Sequence, residues 1–159
     1  MHVTSLAVQI GALEFGSVDG GLLAQGVVAT VLFFIIGAVV LSLGFLALDL
    51  LTPGNLRHQV YVDRNPNAAI LLGANHLALA IIVVTSIMTS ADSLGQGLID
   101  SAVYGIIGVV LQAVALRLLD AFVPGHLRNL VNEPRMNGAA WAVGVSLVAI
   151  GAVNAAALS

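Results

Sequence analysis

Asp49-Leu50-Leu51-Thr52-Pro53-Gly54-Asn55-Leu56-Arg57 returns 71 positions later as Asp120-Ala121-Phe122-Val123-Pro124-Gly125-His126-Leu127-Arg128. The same offset holds well beyond this stretch. Gln25-Gly26 falls on Gln96-Gly97, Ile35-Ile36-Gly37 on Ile106-Ile107-Gly108, and Val60 and Arg64 on Val131 and Arg135. Ala68-Ala69 and Gly73 fall on Ala139-Ala140 and Gly144. An internal repeat of this kind sets topology, because each copy must be built and oriented in the same way. It does not set chemistry.

With 59% hydrophobic and 8% charged residues, the 159-residue chain lies far outside the soluble globular range, where charged residues make up about a quarter. Its mean hydropathy of +1.05 says the same. A spanning helix needs about 20 mostly apolar residues, and the uncharged stretches supply four: 20–48, 65–91, 101–116 and 136–159. The third is short only because Asp100 and Arg117 bracket it; if both snorkel, it runs from about Gly97 to Leu119. The expectation is an all-α integral membrane protein of four transmembrane helices, formed by two tandem parallel two-helix repeats. The divisions are an extracytoplasmic tail at 1–20, a first repeat at 21–91 and a second at 92–159. No soluble domain of useful size is left over. The tail, Met1-His2-Val3-Thr4-Ser5, lacks a basic n-region and the first apolar stretch is too long for a signal h-region, so the first span is expected to be retained.

All five basic residues are arginines, and they sit at two connections: Arg57 and Arg64 after the first span, Arg117, Arg128 and Arg135 around the end of the third. The positive-inside rule makes those connections cytoplasmic. Glu14, Asp19, Asp92 and Asp100 have no basic neighbours, which places both termini and the 90–96 turn outside. Two spans per copy is an even number, so the copies share one orientation. Five arginines are too few for nucleic-acid binding. Cysteine is absent, which removes disulfide and thiol chemistry.

An aspartate at a helix C-terminus meets the negative end of the helix dipole, yet Asp49 and Asp120 each close a long span. Pro53-Gly54 and Pro124-Gly125 end the helices, the glycine readily taking a positive φ. The turn can then carry Arg57 and Arg128 back toward the aspartates, with Arg117, three residues before Asp120, as a second partner. The segments 55–62 and 126–133 read as short helices or loops on the membrane surface. Two readings fit these motifs: a strong turn with an interfacial ion pair, or a charged docking surface formed by both copies.

Ala69-xxx-Gly73 and Ala140-xxx-Gly144 suit close helix approach, which makes the second and fourth spans the expected seam. Polar residues at membrane depth are the other candidates, being costly unless they face protein, water or substrate. Gln25, Asn75, His76, Asp100 and Asn154 compose a candidate polar path, with Gln96 and Gln112 nearby. The plainer reading is interhelical hydrogen bonding for Asn75 and His76, and an interfacial carboxylate for Asp100. The chain carries no HExxH, nucleotide loop, Gly-x-Ser-x-Gly elbow or histidine pair at metal-ligand spacing. No enzyme, metal site or cofactor is expected.

The repeated Asp-x-x-x-Pro-Gly-x-Leu-Arg unit, at Asp49, Pro53, Gly54, Leu56 and Arg57 and at Asp120, Pro124, Gly125, Leu127 and Arg128, resembles the domain of unknown function 350 family. These are small bacterial membrane proteins, also grouped as uncharacterised protein family 0719. The resemblance covers about 21–159 and implies a four-span protein of the bacterial inner membrane. Neighbouring genes in that family include polyamine-related synthases and membrane-stress proteins, which implies an envelope-associated system. Two functions follow as expectations. The first is a non-catalytic component that lies in the lipid bilayer and associates with itself as a homo-oligomer or with a membrane partner. The second is a transporter or channel with a polar path between the repeats, for which four spans would need a dimer.

Overall fold

The computed structural model describes residues 19–52, 54–122 and 126–158, nearly all of them helical. Six helices follow in order among these residues: α1 (Gly20–Leu51), α2 (Leu56–Tyr61), α3 (Pro66–Met88), α4 (Leu94–Phe122), α5 (His126–Asn132) and α6 (Gly138–Leu158). Four of them, α1, α3, α4 and α6, are long and apolar enough to cross a bilayer. The four expected spans are therefore present, with ends moved for local reasons. α1 runs through Asp49 to Leu51, and α4 carries both Asp100 and Arg117 inside its length. Pro66 starts α3 at the position where a missing N–H costs nothing, and the Asn65 side chain accepts the N–H groups of Asn67 and Ala68. The same helix stops at Met88, where Thr89 and Ser90 turn their hydroxyls back onto the carbonyls of Thr85 and Ile87. The surface segments after each motif are α2 and α5.

The chain divides into two compact units, Met1–Thr30 and Val31–Ser159. Of the first, residues 19–30 are described; of the expected tail at 1–20, residues 1–18 lie outside the described residues. Asp19 caps the opening turn of α1 by accepting the N–H groups of Gly21 at 2.8 Å and Leu22 at 3.3 Å. Thr30 returns its hydroxyl to the Gly26 carbonyl. The second unit holds the rest of α1 and the other five helices.

Within the second unit α3 is the central helix. Its buried positions, Ala68, Leu71, Leu72, Asn75, Ala78, Leu79, Ile82, Val83 and Ser86, recur every three to four residues and so line one broad stripe. The α3–α6 seam is the most extensive, followed by α3–α4 and α4–α6, which agrees with the seam expected between the second and fourth spans. Each neighbour brings glycine to α3. A Cβ on Gly44 of α1 or Gly108 of α4 would collide with the Leu79 or Ile82 side chain, and one on Gly151 of α6 would lie 2.6 Å from the Ala78 Cβ. In lipid such close approach supplies the dispersion contacts that hold helices together, since apolar side chains gain nothing by leaving an apolar solvent.

The two small-residue pairs do not act alike. Ala140 and Gly144 are buried, and a Cβ on Gly144 would sit 3.2 Å from Ile70 and 3.3 Å from Ala74. Ala69 and Gly73 are exposed, with open space at Gly73. On α3 the seam uses Ile70, Ala74 and Ala78 instead.

The short helices close one end of the bundle by the same periodic logic as a soluble amphipathic helix. Leu127, Leu130 and Val131 of α5 stand at spacings of three and four and are buried, as is Leu56 of α2. They join Leu48, Leu71, Leu72, Leu116, Val143 and Leu147 in one continuous core. A smaller core of Leu79, Ile82 and Ala155 lies further along the spans.

Candidate functional site: the joined arginine-bearing connections

Both motif aspartates make the same bond. Asp49 Oδ1 accepts the Leu56 N–H at 2.9 Å, and Asp120 Oδ1 accepts the Leu127 N–H at 2.7 Å. Each carboxylate thus sits between two helix ends, the unfavourable C-terminus of its own span and the favourable N-terminus of the next short helix. The charge-assisted bond to a free N-terminal amide decides the balance. The expected return of Arg57 and Arg128 to the aspartates is not what the geometry gives; the bond each carboxylate makes is to the backbone amide. Arg117 does not pair with Asp120 either. The basic side chain within reach of a motif aspartate among the described residues is His126, whose Nδ1 lies 3.9 Å from Asp120 Oδ1.

Gly54 has φ +113°, the positive value expected of the residue after proline in such a turn. Pro53, Pro124 and Gly125 lie outside the described residues. Arg64 and His126 also take positive φ, 53° and 62°, the left-handed conformation that lets the chain reverse beside a short helix.

Asparagines absent from the motif tie the two connections together. Asn65 Nδ2 donates to the carbonyls of Val131 at 2.6 Å and Glu133 at 3.1 Å. Asn67, fully buried, donates through Nδ2 to Glu133 O at 3.0 Å and Arg135 O at 2.8 Å, while its Oδ1 accepts the Asn137 N–H at 2.8 Å. A further bond, Gln59 Nε2 to Asn132 Oδ1 at 2.9 Å, links α2 to α5. Sequence reading passed over these residues because polar side chains near a turn look solvated. The signal available was Asn65-Pro66-Asn67 itself, a cap followed by a polar residue on the first buried turn of a span.

The result is one end of the bundle carrying Arg57, Arg64, Arg128 and Arg135 on connections that are hydrogen-bonded to each other, with Arg117 on α4 close to that end. All five arginines are exposed. Among the described residues none is paired with a carboxylate. Arg57 instead lies over the Phe45 ring, 5.0 Å from its centroid.

The polar residues at depth are distributed among separate contacts. Gln112 Nε2 donates to Leu147 O at 3.0 Å and Asn154 Nδ2 to Gly108 O at 3.4 Å, so both cross-link α4 and α6. Gln112 Oε1 and Asn154 Oδ1 are buried without a donor. Asn75 is buried beside Gln112 at a void of about 10 Å³, at the lower limit for one water molecule. His76 is half-buried and bonds the Leu72 carbonyl through Nδ1. Asp100 accepts from Gln96 Nε2 at 2.6 Å and the Ala91 N–H at 3.4 Å at the far end of α4. Gln25 lies in the first unit, exposed on α1.

Four apolar spans whose short surface helices seal one arginine-rich end define a multi-pass integral membrane protein. The chain belongs to the family described as Domain of Unknown Function (DUF350), whose model matches residues 22–158. It is 46% identical over 148 residues to a UPF0719 transmembrane protein of Mycolicibacterium paratuberculosis, an overlap of 93% of this chain and 98% of that protein. It is 48% identical over 147 residues to UPF0719 transmembrane proteins of Mycobacterium bovis and Mycobacterium tuberculosis, covering 92% of this chain and 97% of each. No solved structure matches.

Proposed function

We propose that the chain is a non-catalytic component of an envelope-associated membrane system that associates with itself or with an acidic protein surface through its arginine-bearing end. In this reading it resides in the bacterial inner membrane with that end in the cytoplasm and both termini outside, and 21–91 and 92–159 are like-oriented repeats. The observation that carries the proposal is the exposure of four arginines, Arg57, Arg64, Arg128 and Arg135, without carboxylate partners among the described residues, on connections fixed by buried asparagines. Side chains mounted on a fixed backbone lose less freedom on binding than those on a free loop, and complementary charge speeds and selects the encounter. The matching Asp49 and Asp120 bonds support the repeat, since two copies in one orientation would present the same turn to the same side.

Charge reversal tests the docking face. Arg64→Glu, Arg128→Glu and Arg135→Glu together are expected to weaken any detergent-stable self-assembly or co-purifying complex at least about tenfold, or about 1.4 kcal/mol. The unfolding midpoint should stay near that of the parent, because among the described residues no carboxylate is paired with these arginines. Retention of every assembly by the triple variant defeats the proposal. Orientation has its own test, made clean by the absence of native cysteine. A cysteine placed at Asn55 is expected to resist an impermeant thiol reagent in intact cells and to react after permeabilisation; labelling of intact cells reverses the topology.

A further inference from the structure

A cleft of about 450 Å³ opens on the flank of the second unit, between α1, α2 and α3. Its long wall is Leu41, Phe45 and Leu46 of α1, with Ser42 between them; its closed side is His76 of α3, and at the end of α1 stand Arg57 and Tyr61 of α2. The cleft is apolar along the span and cationic at its surface end. Leu46 is 43% and Tyr61 72% exposed, so the opening faces what surrounds the bundle and not its core.

The polar groups here are arranged for a ligand more than for each other. Asp49, the nearest motif carboxylate in sequence, is held by the Leu56 N–H and does not neutralise Arg57. The Arg57 guanidinium is supported on the Phe45 face at 5.0 Å, and Phe45 in turn lies against His76 with ring centroids 5.9 Å apart at 52°. Attraction to the aromatic face localises the guanidinium, and its N–H donors are suited to bidentate contact with an anion. His76 Nδ1 lies 2.9 Å from Leu72 O, and a carbonyl only accepts, so Nδ1 carries the proton and Nε2 is the ring nitrogen left for the cleft.

The internal register sharpens the point. At the 71-residue offset Phe45, Tyr61 and His76 fall on Leu116, Asn132 and Leu147, and Leu116 and Leu147 are buried in the core. The second copy has the arginine, Arg128, with Leu116 at the position of Phe45.

The geometry points to a binding site for one molecule of an anionic phospholipid, its phosphate on Arg57 and one acyl chain along Leu41, Phe45 and Leu46. Charge complementarity selects the headgroup, and the apolar wall continuous with the span selects a ligand that brings its own chain. A lipid bound only by the surface field would respond about equally to any arginine at this end. A lipid in the cleft responds to Arg57 and to the filling of the cleft.

The test uses the full chain, purified in mild detergent, stripped of lipid and incubated with phosphatidylglycerol or phosphatidylcholine of equal chain length, with retained lipid counted by native mass spectrometry. About one phosphatidylglycerol per chain is expected, with phosphatidylcholine at least about tenfold lower. Arg57→Gln is expected to lower phosphatidylglycerol retention at least about fivefold, with partial recovery in Arg57→Lys, which keeps the charge but not the planar fork. Ser42→Trp, which fills the cleft and leaves Arg57 in place, is expected to lower it similarly; Leu46→Trp at the exposed rim serves if that variant does not fold. Arg128→Gln should stay within about twofold of the parent. Equal losses in Arg57→Gln and Arg128→Gln overturn the site in favour of surface charge alone. Full retention by the tryptophan variants, or displacement of the lipid by millimolar inorganic phosphate, also overturns it. Arg57→Gln and the tryptophan variants leave Arg64, Arg128 and Arg135 in place, so their result is independent of the docking face.

Discussion

Gly151→Ala is expected to lower stability by about 1–3 kcal/mol, the usual range for overpacking, and Gly151→Val by more. A Cβ at 151 would lie 2.6 Å from the Ala78 Cβ, 2.8 Å from its Cα and 3.1 Å from its carbonyl oxygen. None of these atoms can rotate away, so α6 has to move off α3 along their seam. In a bilayer that separation forfeits packing which no hydrophobic driving force replaces. The higher helix propensity of alanine, about 1 kcal/mol over glycine, opposes the loss without cancelling it. Gly73→Ala supplies the opposite sign. Nothing lies within 4 Å of a Cβ there, so the propensity term stands alone and a gain of about 0.5–1 kcal/mol is expected. Unfolding by denaturing detergent, followed by helical circular dichroism, reads both; equal effects at the two glycines would remove α3 from the centre of the bundle.

Asn67→Leu is expected to cost about 3 kcal/mol and to expose 132–137 to protease. The substitution keeps the branched shape and removes three bonds, leaving the Arg135 carbonyl and the Asn137 N–H without a partner and the Glu133 carbonyl with Asn65 alone. A buried polar group left unsatisfied costs about 1–3 kcal/mol, and the partial exposure of this segment keeps the sum below the maximum. Asn132→Ala breaks only the exposed link to Gln59 and should change stability by less than about 0.5 kcal/mol, as surface substitutions do. If the two variants lose equal stability, the connections are not held by the buried asparagine.

The membrane class, the four spans and the turns between them were legible because they depend on quantities that sequence displays directly: length of apolar run, position of charge, proline and glycine. The repeat marked the two connections, and Gly54 took the positive φ its place after proline predicts. The partner of Asp49 and Asp120 was not legible. Sequence offers arginines as the obvious counter-charges, whereas the carboxylates are satisfied by backbone N–H groups that every residue but proline carries and no sequence pattern marks. The asparagine clamp was hidden for a related reason, since Asn67 finds its acceptors on a segment 66–68 residues away.

What the sequence by itself determined is therefore the multi-pass helical class, the approximate ends of each span and the gathering of arginines at two connections. Tertiary structure alone decided that α3 is central, that Gly144 and Gly151 are buried at its seam while Gly73 is open, and that Phe45 and His76 flank a cleft where Leu116 and Leu147 fill a core. The physical reason lies in the solvent. In water a helix shows its buried face by contrast with a polar one. In lipid both faces are apolar, and what separates the core from the surroundings is the fit of small residues against a neighbour, a property of two helices that neither sequence segment carries alone.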